Sequence, residues 1–245
     1  MGFCYLFTSG KGGTGKSTAV SAISSCLTVL GARVLCIDMD LRLPNLDLIL
    51  GLSDVTTLNI ADVASGRYPL EQAITEHPLL PGLFLLPGPA FYNNELDQAS
   101  LAQIVTQAKE SFDYIIIDGP AGLDTVFYAT AHAADAVIVV TSTDATSQRD
   151  AQRAVMELDE IGIQNIQMIL NRVRLKLIRR TAVNADDIID FVGAPILGIV
   201  PEDQDVLAAA IRLKPLVLYS RQKAASAFLN IAKRMMGEHI PLEYK

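Results

Sequence analysis

Gly10-Lys11-Gly12-Gly13-Thr14-Gly15-Lys16-Ser17-Thr18 fits the pattern G-x-x-x-x-G-K-[ST] and decides how the rest of the 245-residue chain is read. An apolar run, Phe3 to Phe7, leads into it, and a helix-like run, Ser17 to Leu30, leads out. A loop in that position can surround phosphate oxygens. Its glycines let backbone N–H groups turn inward, and the helix N-terminus adds partial positive charge. The pattern places Lys16 on the β- and γ-phosphates of a nucleotide and the Ser17 hydroxyl on Mg²⁺.

Outward from the loop, strand-like runs alternate with helical ones. The strands are predicted at Phe3–Phe7, Arg33–Ile37, Leu83–Leu86, Tyr114–Ile117, Ala136–Val140, Ile166–Leu170 and Ile196–Val200. The helices are predicted at Ser17–Leu30, Ser100–Lys109, Gln148–Ile161 and Asp186–Phe191, with a terminal helix over Arg221–Met236. Several strands are continuously apolar, which suits a sheet covered on both faces. The expectation is an α/β, three-layer fold: a mostly parallel, twisted sheet of about seven or eight strands with helices on both faces. Residues 1–245 are expected to form a single domain. The stretch Leu52–Pro89, rich in glycine and proline, is the irregular part and is predicted to hold short helices at Ile60–Ala64 and Leu70–Ile74.

Composition narrows the function. A net charge of −7 argues against a broad nucleic-acid footprint. The run after Met1 is too short for a signal peptide and lacks a basic flank, and no apolar stretch reaches membrane-spanning length. Cys4, Cys26 and Cys36 lie in predicted strands or a helix and read as buried, reduced thiols. No C-x-x-C or paired His/Cys spacing points to zinc or an iron–sulfur cluster.

Three aspartates fall where a parallel sheet binds ligands, beyond the carboxyl ends of its strands. Asp118 follows the apolar run Tyr114–Ile117 and precedes Gly119-Pro120-Ala121-Gly122, the arrangement that holds Mg²⁺ in phosphate-loop enzymes. Asp38 ends the second strand and can support the metal's water shell. Asp40, two residues on, is placed to orient an attacking water.

With Lys11 ahead of the paired glycines, the loop resembles the deviant Walker A motif of the MinD/ParA family of ATPases. Asp38-Met39-Asp40-Leu41-Arg42-Leu43-Pro44-Asn45-Leu46-Asp47 resembles that family's switch I, and Asp118-Gly119-Pro120-Ala121-Gly122 its Walker B and switch II. Asn171-Arg172-Val173-Arg174 and Pro201-Glu202-Asp203-Gln204 resemble the adenine-binding segments of its MinD branch. The resemblance implies the P-loop NTPase fold, ATP/ADP and Mg²⁺ as cofactors, and hydrolysis of ATP. It assigns Gly10 to Thr18, Asn171, Arg172, Pro201, Glu202 and Asp203 to the nucleotide, and Ser17, Asp38 and Asp118 to the metal. Lys11, Lys16 and Asp40 are the implied catalytic residues, Lys11 reaching across an ATP-dependent homodimer to the other subunit's phosphates.

The implied role is placement of the division septum together with MinC/MinE-like regulators. A ParA-like or a flagellar-number and polar-localisation ATPase is the alternative, and a small-molecule ATP-dependent ligase of the same fold a remote one. Nucleic acid is not the expected partner, although the basic run Arg172, Arg174, Lys176, Arg179, Arg180 is the best local site for an acidic one. The MinD branch typically ends in a basic amphipathic helix that inserts into the inner membrane surface. Gly237–Lys245 contains a proline and no such helix, so direct membrane binding is not expected of it. The expected location is cytoplasmic, with a peripheral position at the inner membrane surface open.

Overall fold

The computed structural model describes residues 1–55, 57–89, 97–174 and 185–242. Each of the seven apolar runs read as strands from the sequence forms one, its side chains buried between helices on the two faces of the sheet. The strands are β1 (Phe3–Ser9), β2 (Val34–Asp38), β3 (Thr75–Glu76), β4 (Leu83–Leu86), β5 (Tyr114–Ala121), β6 (Ala136–Thr141), β7 (Ile166–Val173) and β8 (Ile196–Pro201). They form one eight-stranded sheet in the order β3-β4-β2-β5-β1-β6-β7-β8. Every pairing is parallel except that of β3 with β4.

The helices are α1 (Lys16–Val29), α2 (Leu46–Leu50), α3 (Ile60–Ala64), α4 (Leu70–Ala73), α5 (Gln98–Ser111), α6 (Thr125–Ala133), α7 (Ala145–Glu160), α8 (Ala185–Val192), α9 (Gln204–Ile211) and α10 (Ala224–Met235). Alternation along the strands sorts the core into two layers. Tyr5 and Phe7 of β1 join α1, α2 and α10 on one face. Cys4 and Leu6 join α3 to α8 on the other. A side chain buried in either layer contributes about 1.5–3 kcal/mol, so the two layers together carry most of the fold's cohesion.

The predicted α/β, doubly covered sheet is therefore what forms, and the structure moves some boundaries. β5 does not end at Ile117: it runs on to Ala121, with Asp118 inside it and paired between Phe7 and Asp38. The loop with conformational freedom begins only at Gly122. The terminal helix starts at Ala224, not Arg221, because Lys223 has a φ of 47° and cannot continue a right-handed helix. The antiparallel strand β3 and the helices α2, α6 and α9 were not anticipated. The basic residues Lys176, Arg179 and Arg180 lie outside the described residues.

All three cysteines are free and buried. Burial pushes the Cys26 and Cys36 thiols up to about 12 and the Cys4 thiol higher still. The thiolate is the reactive form, so at mildly alkaline pH native protein should react with a thiol reagent at least about 10³-fold more slowly than unfolded chain. Rapid labelling of any one cysteine in the native state would contradict this packing.

Candidate nucleotide site

The loop sits where the sheet changes direction. β1 is central, with β5 on one side and β6 on the other, and crossovers leave in opposite directions. That is the switch point at which parallel sheets hold ligands. Gly15 caps α1 with φ 89°, a left-handed conformation open to glycine. A Cβ there would lie 2.3 Å from Asn171 Nδ2. No side chain caps the first turn of α1, so its N–H groups point outward undischarged, as an anion site requires.

Parallel, in-register pairing puts Asp38 of β2 beside Asp118 of β5. Lys16, only 5 % exposed, reaches from α1 to one member of this pair and to the nearby Asp40: Nζ is 2.5 Å from Asp118 Oδ1 and 3.8 Å from Asp40 Oδ2. Three carboxylates around one ammonium leave an excess of negative charge. Burial, reinforced by the Asp118 charge, pushes the Asp38 carboxyl up to about 7, against hydrogen bonds from Leu46 and Asp40 and the pull of Lys16. Burial also raises Asp40, with Lys16 opposing and Asp118 adding to the rise. Asp118 Oδ2 and Thr14 Oγ1 are buried with no hydrogen-bond partner. An unpartnered carboxylate oxygen beside a surplus of acid fits a hydrated divalent cation.

The aspartates do not all stand alike. Asp38 Oδ1 accepts from the Asp40 N–H at 3.1 Å, while Oδ2 accepts from Asn45 and Leu46 N–H at 3.0 Å each. Its carboxylate thereby ties β2 to the loop that opens α2. Asp40 is partly exposed and faces Lys16. Lys11 is drawn elsewhere: its Nζ donates to Thr146 Oγ1 at 3.0 Å and lies 3.4 Å from Asp144 Oδ1, at the start of α7. Hydrogen bonds from Ser142, Thr146 and Ser147 hold the Asp144 carboxyl well below the usual range. Asp144 went unnoticed in the sequence, although Asp144-Ala145-Thr146-Ser147 after an apolar strand is a helix-capping pattern. Asp124, which caps α6 and lies 3.5 Å from Arg42 Nη2, was missed in the same way.

On the other side of the loop a cavity of about 850 Å³ opens, a size suited to a small-molecule ligand. Gly15, Thr18, Asn171, Arg172, Pro201, Glu202 and Asp203 all line it. Asn171 Nδ2 donates to Thr14 O at 2.8 Å, and Arg172 Nη1 to Gly13 O at 2.9 Å, so both brace the glycine loop. Arg172 has φ 56°, a conformation that an arginine adopts at a cost and that the surrounding contacts must enforce. Glu202 is held by Arg174 in a two-pronged pair at 2.6 and 3.1 Å. Asp203 caps α9 through Asp205 N–H and also accepts from Ala224 N–H, both at 3.2 Å. These two carboxylates shape the wall; their oxygens already have donors.

Residues 6–173 match the family described as AAA domain. The septum site-determining protein MinD of Bacillus subtilis is 34% identical over 99% of this chain and 92% of its own length. A chain of the MinC:MinD cell division protein complex of Aquifex aeolicus superposes with a TM-score of 0.90 at 36% identity, covering 98% of each chain. The septum site-determining protein MinD complexed with Mg-ADP from Pyrococcus horikoshii superposes with a TM-score of 0.85 at 30% identity, over 96% of each.

Proposed function

Because the chain belongs to the MinD/ParA family of P-loop ATPases, we propose that it is an ATP-timed dimerisation switch of the MinD type, acting in placement of the division septum. The observation that carries this reading is the buried Lys16–Asp118 pair beside the glycine loop, with Asp118 Oδ2 left without a partner. Lys16 is the group to exchange one anion for another: it leaves Asp118 when phosphates enter the loop. The N–H groups of Gly13 to Ser17 then take phosphate oxygens, and Asn171 and Arg172 keep the loop in shape while the base occupies the adjoining cavity. Ser17 and Asp118, with Asp38 behind them, would hold Mg²⁺, which when bound neutralises charge on the β- and γ-phosphates.

Asp40 holds the attacking water in line with the γ-phosphate. Lys11 leaves Thr146 and Asp144 and reaches the phosphates of a second subunit, adding a cation where charge develops. Loss of the γ-phosphate removes what the two switch segments grip, and the subunits part. The likeness to a chain of the MinC:MinD cell division protein complex supports regulators of that kind as protein partners. Among the described residues no helix is long and apolar enough to cross a membrane. The proposed setting is the cytoplasm.

The test is light scattering of Asp40→Ala with ADP and with ATP. A monomer in ADP and a lasting dimer in ATP are expected, with hydrolysis lowered by at least about 10²-fold. Unaltered hydrolysis removes Asp40 from its assigned role, and a monomer in ATP contradicts the switch.

A further inference from the structure

Backbone strain marks a residue that the sequence did not single out. Three non-glycine residues among those described have positive φ: Arg172, Leu213 and Lys223. Two of them, both cations, line the cavity beside the glycine loop. Lys223 has φ 47° and ψ −110°, a conformation natural to glycine and adopted by other residues only under constraint. The constraint is visible on both sides. The Gln222 carbonyl accepts from Ala225 N–H at 3.0 Å, and the Lys223 carbonyl from Ala227 N–H at 2.9 Å. The Ala224 N–H, in the same peptide as the Lys223 carbonyl, donates to Asp203 Oδ2 at 3.2 Å. Both peptides flanking Lys223 are thereby pinned, and its side chain is held at the cavity. Strain of this kind collects at ligand clamps.

The cavity wall indicates what this lysine is for. Val206, Leu207 and Ala210 of α9 and Phe228 of α10 supply an apolar surface suited to a flat ring. Four charged side chains join it: Arg172, Glu202, Asp203 and Lys223. Arg172 donates to Gly13 O, Glu202 is paired with Arg174, and Asp203 accepts from two backbone N–H groups. Among the described residues Lys223 makes no hydrogen bond of this kind: its Nζ lies 3.9 Å from Asp203 Oδ1, and its side chain is 70% exposed. We infer that Lys223 closes over the open face of the purine as a cation–π lid, holding the base against the apolar wall. Asp203, whose side chain is 1% exposed, keeps the ammonium on that side of the cavity. The inference rests on the nucleotide reading above and adds a contact to the base, separate from the grip of Lys16 on phosphate.

The experiment is calorimetric titration of the full-length protein with ATP and with inorganic tripolyphosphate, each with Mg²⁺. Tripolyphosphate carries the phosphates and lacks the base. Lys223→Met should bind ATP about tenfold more weakly and tripolyphosphate as wild type does. Lys223→Arg, which restores a cation, should stay close to wild type for both. Lys223→Gly should weaken ATP as Lys223→Met does and raise Tm without nucleotide, because glycine relieves the strain. The lid is overturned if Lys223→Met keeps full ATP affinity, if it loses both ligands equally, if Lys223→Arg is as weak as Lys223→Met, or if Lys223→Gly lowers Tm. Wild type binding neither ligand would instead overturn the nucleotide reading itself, and the lid with it.

Discussion

Lys16→Ala should abolish ATP binding and, separately, destabilise the nucleotide-free protein by about 3–5 kcal/mol. The first effect follows from removing the ammonium that the loop presents to phosphate. The second follows from what stays behind: Asp118, fully buried, loses its partner at 2.5 Å and keeps Asp38 as a neighbour. For a domain of this size the expected fall in Tm is roughly 6–20 °C. The sign of the pH dependence discriminates. Lys16 opposes the rise of Asp38, which burial already lifts to about 7. Without the lysine that carboxyl keeps its proton to higher pH, so the variant should recover stability relative to wild type as pH falls from about 8 to about 5. Lys16→Met combined with Asp118→Asn, which removes both charges, should be more stable than Lys16→Ala alone. Thermal melts of the three proteins without nucleotide check this. A Lys16→Ala protein that melts like wild type would mean that the pair contributes nothing to the resting fold.

Lys11→Ala should behave oppositely: a large loss of function with almost none of stability. The side chain is 40% exposed and its partners are Thr146 and Asp144 at a helix end. Such surface contacts contribute about 0–1 kcal/mol, so the lysine is also free to leave them. If it supplies the second cation to a developing phosphoryl charge, its removal should lower hydrolysis by up to ~10⁵-fold. A lysine 4 Å from a phosphate is worth about 4 kcal/mol at an effective dielectric near 20, enough to govern dimerisation as well. ATP affinity of the monomer should survive, because Lys16 and the loop N–H groups remain. Steady-state hydrolysis, sizing and equilibrium unfolding of this one variant separate the three quantities.

Much of this architecture was legible because its signals are local. A phosphate loop announces itself in nine residues, and each interior strand in four or five consecutive apolar ones. Asn171 and Pro201 were identified by resemblance, and they line one cavity with Gly15 because β7 and β8 are neighbours in the sheet. What escaped depends on partners distant in the chain. The pairing of Lys16 with Asp118 spans 102 positions, and its consequence, a surplus of acid that lifts Asp38, exists only in the folded register. β3 is two residues long, and its pairing with β4 gives too short a pattern to read. Asp118 looked like a strand terminus because glycine and proline follow it, yet β1 continues alongside and carries β5 through to Ala121. Leu213 in a left-handed conformation is invisible in a sequence, where a leucine after a helix looks like any other.

Mixing two inactive variants tests the central idea most directly, that one subunit completes the other's site. Lys11→Ala retains Asp40 but lacks the reaching lysine; Asp40→Ala retains the lysine but cannot orient water. In a mixed dimer the Lys11→Ala subunit receives its lysine from the Asp40→Ala subunit, so ATP hydrolysis should appear on mixing and grow with the fraction of mixed species. If the mixture hydrolyses no more ATP than the two proteins do apart, Lys11 acts within its own subunit or not at all, and the account of the switch fails.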